Sequence, residues 1–279
     1  MKYGFVFPHA DVLKAIEFAK VAEEVGWDAF FVWEPTYGID AWVTLAAIAV
    51  QTERIRLGTL LSPVSRMRPW KLASEAITLD ILSNGRINLC VGLGAVDTGF
   101  EVFGEEIDRK TRAQLLDEGL DIINGLWNRE LSNYKGQHYR IKNLKECAFF
   151  KRHPQPELIQ YPRIPIWVVG AWPWKKSMQR VLKYDGIIPT IKTKQGKFEK
   201  VTPEHIYEIK NFIEEQRSLK SPFDIIIEGE TPGNDSELAS SIVRPYTEAG
   251  ATWWIESIWS SPDLNQLLNR VKQGPPSIE

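Results

Sequence analysis

The sequence predicts a single-domain α/β protein, a (β/α)8 barrel, and three observations carry that expectation. Strand-like and helix-like segments alternate strictly, eight of each, which implies parallel strands joined by right-handed helical crossovers. The strands read as near-continuous apolar runs, as strands covered on both faces do. The chain has 279 residues, close to the ~250 of one such barrel, whereas an open doubly wound sheet usually stops at about five or six strands.

Taken in order, the expected elements begin with strand Tyr3–Phe7, helix Asp11–Glu24, strand Trp27–Trp33 and helix Asp40–Thr52. The third unit is the clearest. Strand Arg54–Ser62 is followed by a helix with Pro69 in its first turn, Leu72, Ala76 and Leu79 on one face and Asn84-Gly85 as a left-handed stop; strand Arg86–Gly94 follows. Then come helix Arg109–Trp127, strand Pro165–Gly170, helix Pro173–Lys183, strand Gly186–Thr190, helix Pro203–Leu219, strand Phe223–Glu228, helix Ser236–Glu248, strand Thr252–Glu256 and helix Pro262–Lys272. Thr202-Pro203 and Ser261-Pro262 read as a cap followed by a first-turn proline, and Gly26, Gly85 and Gly250 as helix-ending glycines. One long connection, Asn128–Ile164, interrupts the rhythm; its YKGQHYRI core reads as a small hairpin, and the stretches after Val91 and Glu228 are also longer than a tight turn needs.

Composition narrows the partner. A formal charge of −2, from 34 basic and 36 acidic residues, leaves no electrostatic footprint for nucleic acid, and no Lys/Arg block suits an anionic membrane surface. A small-molecule substrate is expected. Met1–Phe7 is too short and is closed by Pro8, so it does not read as a secretory signal, and no segment nears the ~20 apolar residues of a membrane span. The cysteines are Cys90, inside a predicted strand, and Cys147; a cytoplasmic, reducing setting is expected. Of eleven tryptophans, Trp33, Trp172, Trp253 and Trp254 fall near strand ends, where they either wall a planar ligand or fill the layer between barrel and helices.

A barrel of this kind carries its chemistry on the loops after the strands. The candidates are therefore Pro8 and His9, Glu34 to Asp40, Leu60 to Arg68, Gly92 to Asp97, Gly170 to Lys176, Pro189 and Thr190, Glu228 to Thr231, and Glu256 with Ser257. Gly170 is read as letting the backbone approach a ligand, and Pro173 as opening a helix whose free N–H groups, with Lys175 and Lys176, favour an anion; Ala171 and Trp172 lie in that turn. An ordinary solvated turn is the alternative. Gly92 and Gly94 allow close packing against a ring or simply within the barrel, and His9 is either a ligand contact or a solvated loop histidine. His138, His153 and His205 read as structural. No metal-ligand spacing and no nucleophile elbow is present. Glu228, Glu230 and Glu256 have a spacing compatible with a paired-carboxylate hydrolase, and anchoring of rim loops is the preferred reading.

The motifs RIRLGT, RPWKLA, TLD-LS-GR and VGLG, in this order, together with LDEGLDIINGLW, YKGQHY, IPIWVVGAWP, EGETPG and AGATWWIE over most of the chain, resemble the luciferase-like monooxygenases, the flavin- or deazaflavin-dependent barrel oxidoreductases. The resemblance implies a bacterial-luciferase-like barrel that binds FMN or coenzyme F-420. It implies that the fifth-strand turn holds the cofactor phosphate and that Gly92 and Gly94 border the ring pocket. It also implies a bulge at Thr59–Ser62, with a non-prolyl cis bond at Leu60–Leu61 beneath the ring. Family members often carry a histidine after the second strand; here Glu34 stands in that segment, with Tyr37 and Asp40 nearby, and is the candidate to replace it. By the same resemblance Asn128–Ile164 covers part of the pocket, and helices near the second and third units form a homodimer. Two other readings stay open from the residues: a non-redox lyase or isomerase, and a flavin-binding protein without turnover.

Overall fold

The computed structural model describes residues 1–193, 198–260 and 263–276. Eight strands form the barrel: β1 Lys2–Phe7, β2 Ala29–Val32, β3 Arg56–Thr59, β4 Ile87–Gly92, β5 Ile166–Trp172, β6 Gly186–Lys192, β7 Asp224–Gly229 and β8 Trp253–Glu256. Each pairs in parallel with its sequence neighbours, and β8 pairs back to β1 through Lys2↔Trp253 to Phe5↔Glu256, so the sheet closes. Closure removes the exposed edges that an open sheet would present. The helices are α1 Val12–Glu24, α2 Ala41–Ala49, α3 Pro69–Leu82, α4 Arg109–Trp127, α5 Lys175–Val181, α6 Pro203–Gln216, α7 Ser236–Ala249 and α8 Leu264–Lys272.

The period of two along each strand divides the apolar side chains between two cores. Val6, Ala29, Phe31, Leu60, Cys90, Trp167, Ile188, Ile226, Trp253 and Ile255 fill the barrel interior. Phe5, Phe7, Phe30, Leu57, Leu89, Ile187, Ile227 and Trp254 face outward into the layer beneath the helices. Below the interior core a polar floor closes the barrel. There Arg56 Nε donates to Asn88 Oδ1 at 2.8 Å, and Asp224 accepts from Trp167 Nε1 at 3.2 Å and Thr252 Oγ1 at 2.9 Å.

The helices start where capping side chains satisfy their free N–H groups. Asp11, Asp40, Asp108 and Asp235 each accept from the backbone three residues on, and Thr202 forms a capping box in which His205 takes the usual acidic place. Gly250 ends α7 at φ 109°, a conformation that needs glycine. Ser261 and Pro262 lie outside the described residues; Asp263, accepting from Asn265 N and Gln266 N, caps α8.

The 128–164 insertion holds the expected hairpin, Tyr134–Lys135 against Arg140–Ile141, and the chain leaves from the C-terminal end of α4 and enters β5 from below. The Glu118 carboxylate on α4 collects the N–H groups of Gln137, His138 and Tyr139. The tail then binds Asp80, which accepts Ile159 N at 2.7 Å and Gln160 Nε2 at 2.9 Å at the floor. The ends of the insertion therefore brace α4 and the floor, as a connection from helix to strand does, while Tyr139 of its hairpin packs edge-on against Trp70 in the first turn of α3, ring centroids 6.2 Å apart.

Candidate active site

The mouth is built from the C-terminal ends of the strands. β3 stops at Thr59; the Leu60–Leu61 peptide bond is cis, and Ser62 and Pro63 resume pairing with β4 through Ser62↔Val91. Leu60 points into the interior core, while Ser62 turns toward Glu34 at the end of β2. Ser62 Oγ donates to Glu34 Oε2 in a short hydrogen bond. Thr59 Oγ1 lies 2.8 Å from Ser62 Oγ, and with the serine proton committed to Glu34 the threonine donates. Removal from water pushes the Glu34 carboxyl up to about 7, against the opposing pull of the Ser62 hydrogen bond and the Arg66 charge.

Arg66 fixes this corner. Its Nη2 donates to the Glu34 carbonyl at 3.2 Å, and its guanidinium stacks on Phe100, Cζ 5.1 Å from the ring centroid. Arg112 stands 5.7 Å from the same fully buried ring and donates to the carbonyls of Leu93 and Gly94. Arg66 thus clamps the loop after β4 onto the loop after β3, and Arg112 ties the same loop to α4. Thr36 Oγ1 donates to Thr98 O at 2.8 Å and Tyr37 meets Phe103 at 5.9 Å, so the loops after β2 and β4 form one continuous wall.

Alternation decides which strand-end residues reach the mouth. Above the interior core the inward positions are Trp33, Gly92, Ala171, Thr190, Glu228 and Ser257, which continue the faces of Phe31, Cys90, Val169, Ile188, Ile226 and Ile255. Glu228 is open to solvent, yet the walls around it displace enough water to raise its carboxyl above the ordinary range, while Trp259 and Ser257 pull it down. Trp259 Nε1 donates to Glu228 Oε2 at 2.9 Å. The reading of the acidic residues of β7 and β8 as rim anchors fits Glu256, and it fits Glu228 in so far as Trp259 on the loop after β8 donates to it; Glu228 differs in that it does so from the inner wall of the mouth. Its parity with Ile226 was the signal available in the sequence. Glu256 is fully buried on the outer face, accepting Thr231 N and Oγ1 at 2.7 Å each with Arg270 Nη2 at 3.2 Å.

The turn after β5 needs correction. Trp172–Pro173 is a cis bond, α5 begins two residues later at Lys175, and it spans 7 residues. Pro173 therefore does not open the helix. The turn closes on itself, Ala171 N donating to Ser177 Oγ at 2.9 Å and Trp174 N to Ala171 O at 2.9 Å. A Cβ on Gly170 would meet Ile187 at 2.6 Å and Val181 at 2.9 Å, so this glycine serves strand-to-helix packing. Trp172 also leaves the mouth, donating to Glu208 and packing edge-on to Phe212; Trp254 lies in the same outer layer and Trp253 in the interior core beneath the mouth. Lys175 is exposed. Gly92 and Gly94 pack against protein, a Cβ at Gly92 meeting Leu61 at 3.0 Å and one at Gly94 meeting Phe100 at 2.7 Å. His9, at the end of β1, is partly buried with its ring 5.7 Å from Phe7.

Three buried polar atoms of the mouth loops, Trp33 Nε1, Ser65 Oγ and Arg66 Nε, have no hydrogen-bond partner among the described residues. Native interiors rarely leave such groups unpaired, so this donor set fits a ligand rich in acceptors.

The chain is similar to several known proteins. The F-420-dependent glucose-6-phosphate dehydrogenase of Amycolatopsis mediterranei (strain U-32) is 32% identical over 168 residues, 57% of this chain and 47% of that protein. The oxygenase component of the flavin-dependent trigonelline monooxygenase of Acinetobacter baylyi is 29% identical over 163 residues, 57% of this chain and 43% of that one. The matched stretches thus span about half the length of these curated relatives. Among solved structures, an F-420-dependent secondary alcohol dehydrogenase bound to an F-420–acetone adduct shares the fold at TM-score 0.76 and 16% identity, covering 100% of this chain and 99% of that one. The FMN complex of the oxygenating constituent of 3,6-diketocamphane monooxygenase from Pseudomonas putida does so at TM-score 0.74 and 15% identity, covering 100% and 99%. The family model described as luciferase-like monooxygenase matches residues 7–252, and the chain belongs to that family.

Proposed function

We propose that the protein is a flavin- or deazaflavin-dependent oxidoreductase, a luciferase-like enzyme acting on a small organic substrate in the barrel mouth with FMN or coenzyme F-420. The observation that carries this reading is the Thr59–Ser62–Glu34 hydrogen-bonded line, which ends in a carboxyl poised at about 7. A group so poised takes or gives a proton near neutrality. The bound cofactor supplies hydride or oxygen chemistry; the chain orients it, excludes water and moves the proton. Family membership and the dehydrogenase and monooxygenase names of the relatives support this assignment.

Leu60, Leu61, Ser62, Gly92 and Gly94 are the proposed floor for the ring system, with Trp33, Ser65 and Arg66 offering unpaired donors to its acceptors. Ala171, the inward residue of its turn, and the exposed Lys175 are proposed to hold the phosphate-bearing tail. His9 is proposed as a further contact from β1, and Glu34 as the proton carrier. A homodimer is supported by exposed apolar side chains on the neighbouring helices, Val43 on α2 and Ile81 and Leu82 on α3. Sedimentation at a range of concentrations tests it. No described helix is long and apolar enough to cross a membrane, and a cytoplasmic location is inferred from two free cysteines.

The deciding experiment is reconstitution against equal FMN and F-420, followed by the mass and absorption spectrum of the molecule released on denaturation. FMN directs assays to oxygen and NAD(P)H; F-420 directs them to dehydrogenase and reductase chemistry. Retention of neither overturns the redox reading and favours the lyase or isomerase alternative.

A further inference from the structure

Glu228 stands out once the mouth is viewed as a charge distribution. In the inward-facing layer of Trp33, Gly92, Ala171, Thr190, Glu228 and Ser257 it is the one side chain that carries a formal charge. Among the described residues no Lys, Arg or His comes within 4.0 Å of it, in contrast to seven ion pairs elsewhere. The groups that act on it are neutral: the Trp259 indole, which donates to Oε2, and Ser257. Beneath it lies the Cys90 thiol, fully buried and pushed up by burial and by the Glu228 charge. Arg66, the cation of the opposite wall, is already committed to Phe100 and to the Glu34 carbonyl. Lys192, at the end of β6, lies with its Nζ 5.6 Å from the Phe198 ring.

A carboxylate on the inner wall of a concave mouth, with no counter-charge beside it, focuses a negative potential there that draws in a cation. The same carboxylate repels a carboxylate or a phosphate on the substrate, so one residue both attracts and excludes. We propose that Glu228 is a specificity-determining residue that selects substrates bearing a positively charged nitrogen and disfavours anionic ones. This rests on the mouth being the substrate site, as assigned above. Trp259, whose indole is partly exposed beside the carboxylate, adds a face against which the organic part of such a cation packs.

The test uses three probes of one size: benzylammonium, benzyl alcohol and benzoate. Each is titrated by calorimetry into the full-length protein, first without cofactor and then with whichever of FMN and F-420 it retains. Benzylammonium is expected to bind at least tenfold more tightly than benzoate, with the alcohol between them. Glu228→Gln reduces the cation preference to within about threefold, and Glu228→Lys reverses the order. The two variants act in opposite senses, so a fold defect in one leaves the other as the test. Equal or tighter binding of benzoate by the wild type, no binding of any probe, or an unchanged preference in both variants overturns the proposal. A cation preference in protein that retains neither cofactor upholds the role of Glu228 and counts against the redox reading alone.

Discussion

Glu228 and Glu256 sit at the tops of paired strands and meet opposite fates. The β7–β8 register sets Gly229 against Glu256, so Glu228, one residue earlier, faces the other side of the sheet. Glu256 enters the helical layer, where Thr231, Trp254 and Arg270 surround it. Glu228 enters the mouth, where no cation among the described residues pairs with it. One step along a strand thus separates a carboxylate that holds the fold together from one left available to a ligand.

Removing the partner of the anchored carboxylate sharpens the contrast most. Arg270→Met leaves Glu256 buried and uncompensated and is expected to cost about 3–5 kcal/mol in denaturant melts, with Glu256→Gln/Arg270→Met recovering part of that loss. Next in size is Glu34, the second mouth carboxylate. In the reconstituted enzyme Glu34→Gln is expected to lower turnover by roughly 10²-fold or more and to abolish the limb of the pH profile near 7. The same residue gives a stability readout that needs no cofactor. Its pKa is raised in the folded state, so the folded protein keeps the proton longer, and the Glu34 contribution to stability falls as pH rises from about 4.5 to about 7 and is flat above. A pH series of thermal melts on Glu34→Gln is expected to lack that fall. Gly94→Ala follows: φ is +75° and the new Cβ would lie 2.8 Å from Pro63, so a loss of about 1–3 kcal/mol is expected in cofactor-free protein. Smallest is Glu228→Gln, expected to change stability by about 1 kcal/mol or less, because the carboxylate is open to solvent and its amide replacement can still accept from Trp259. A cost near that of Arg270→Met would erase the distinction between the two glutamates.

The barrel was legible because each strand is an apolar run and every barrel helix but α5 announces its start with Asp, Thr or Pro. Asp11, Asp40, Asp235 and Thr202 cap the helices they precede. The motif order at Thr59–Ser62 also located the bond that is cis in the structure. What escaped were directions decided by contacts far away in sequence. Trp172 turned outward because Phe212 and Glu208, on a helix more than thirty residues later, receive it. Gly170 reads in the sequence as a place for close ligand approach, whereas Ile187 and Val181 occupy the space beside it. Pro173 reads as a helix start, but the turn closes through Trp174 N to Ala171 O and Ala171 N to Ser177 Oγ, and α5 begins at Lys175. Glu228 was grouped with Glu256 by composition, and only the face of the sheet separates them.

The insertion carries the exposed Cys147, while the other thiol, Cys90, is sealed inside the barrel and held protonated by burial. The protein therefore offers one chemically addressable sulfur, on the segment that braces α4 and the floor. A dye, spin label or solid support attached there through maleimide chemistry would form a single homogeneous adduct. The label would occupy a connection between α4 and β5 that supplies none of the residues assigned to the mouth, so titrations there would read an unmodified site.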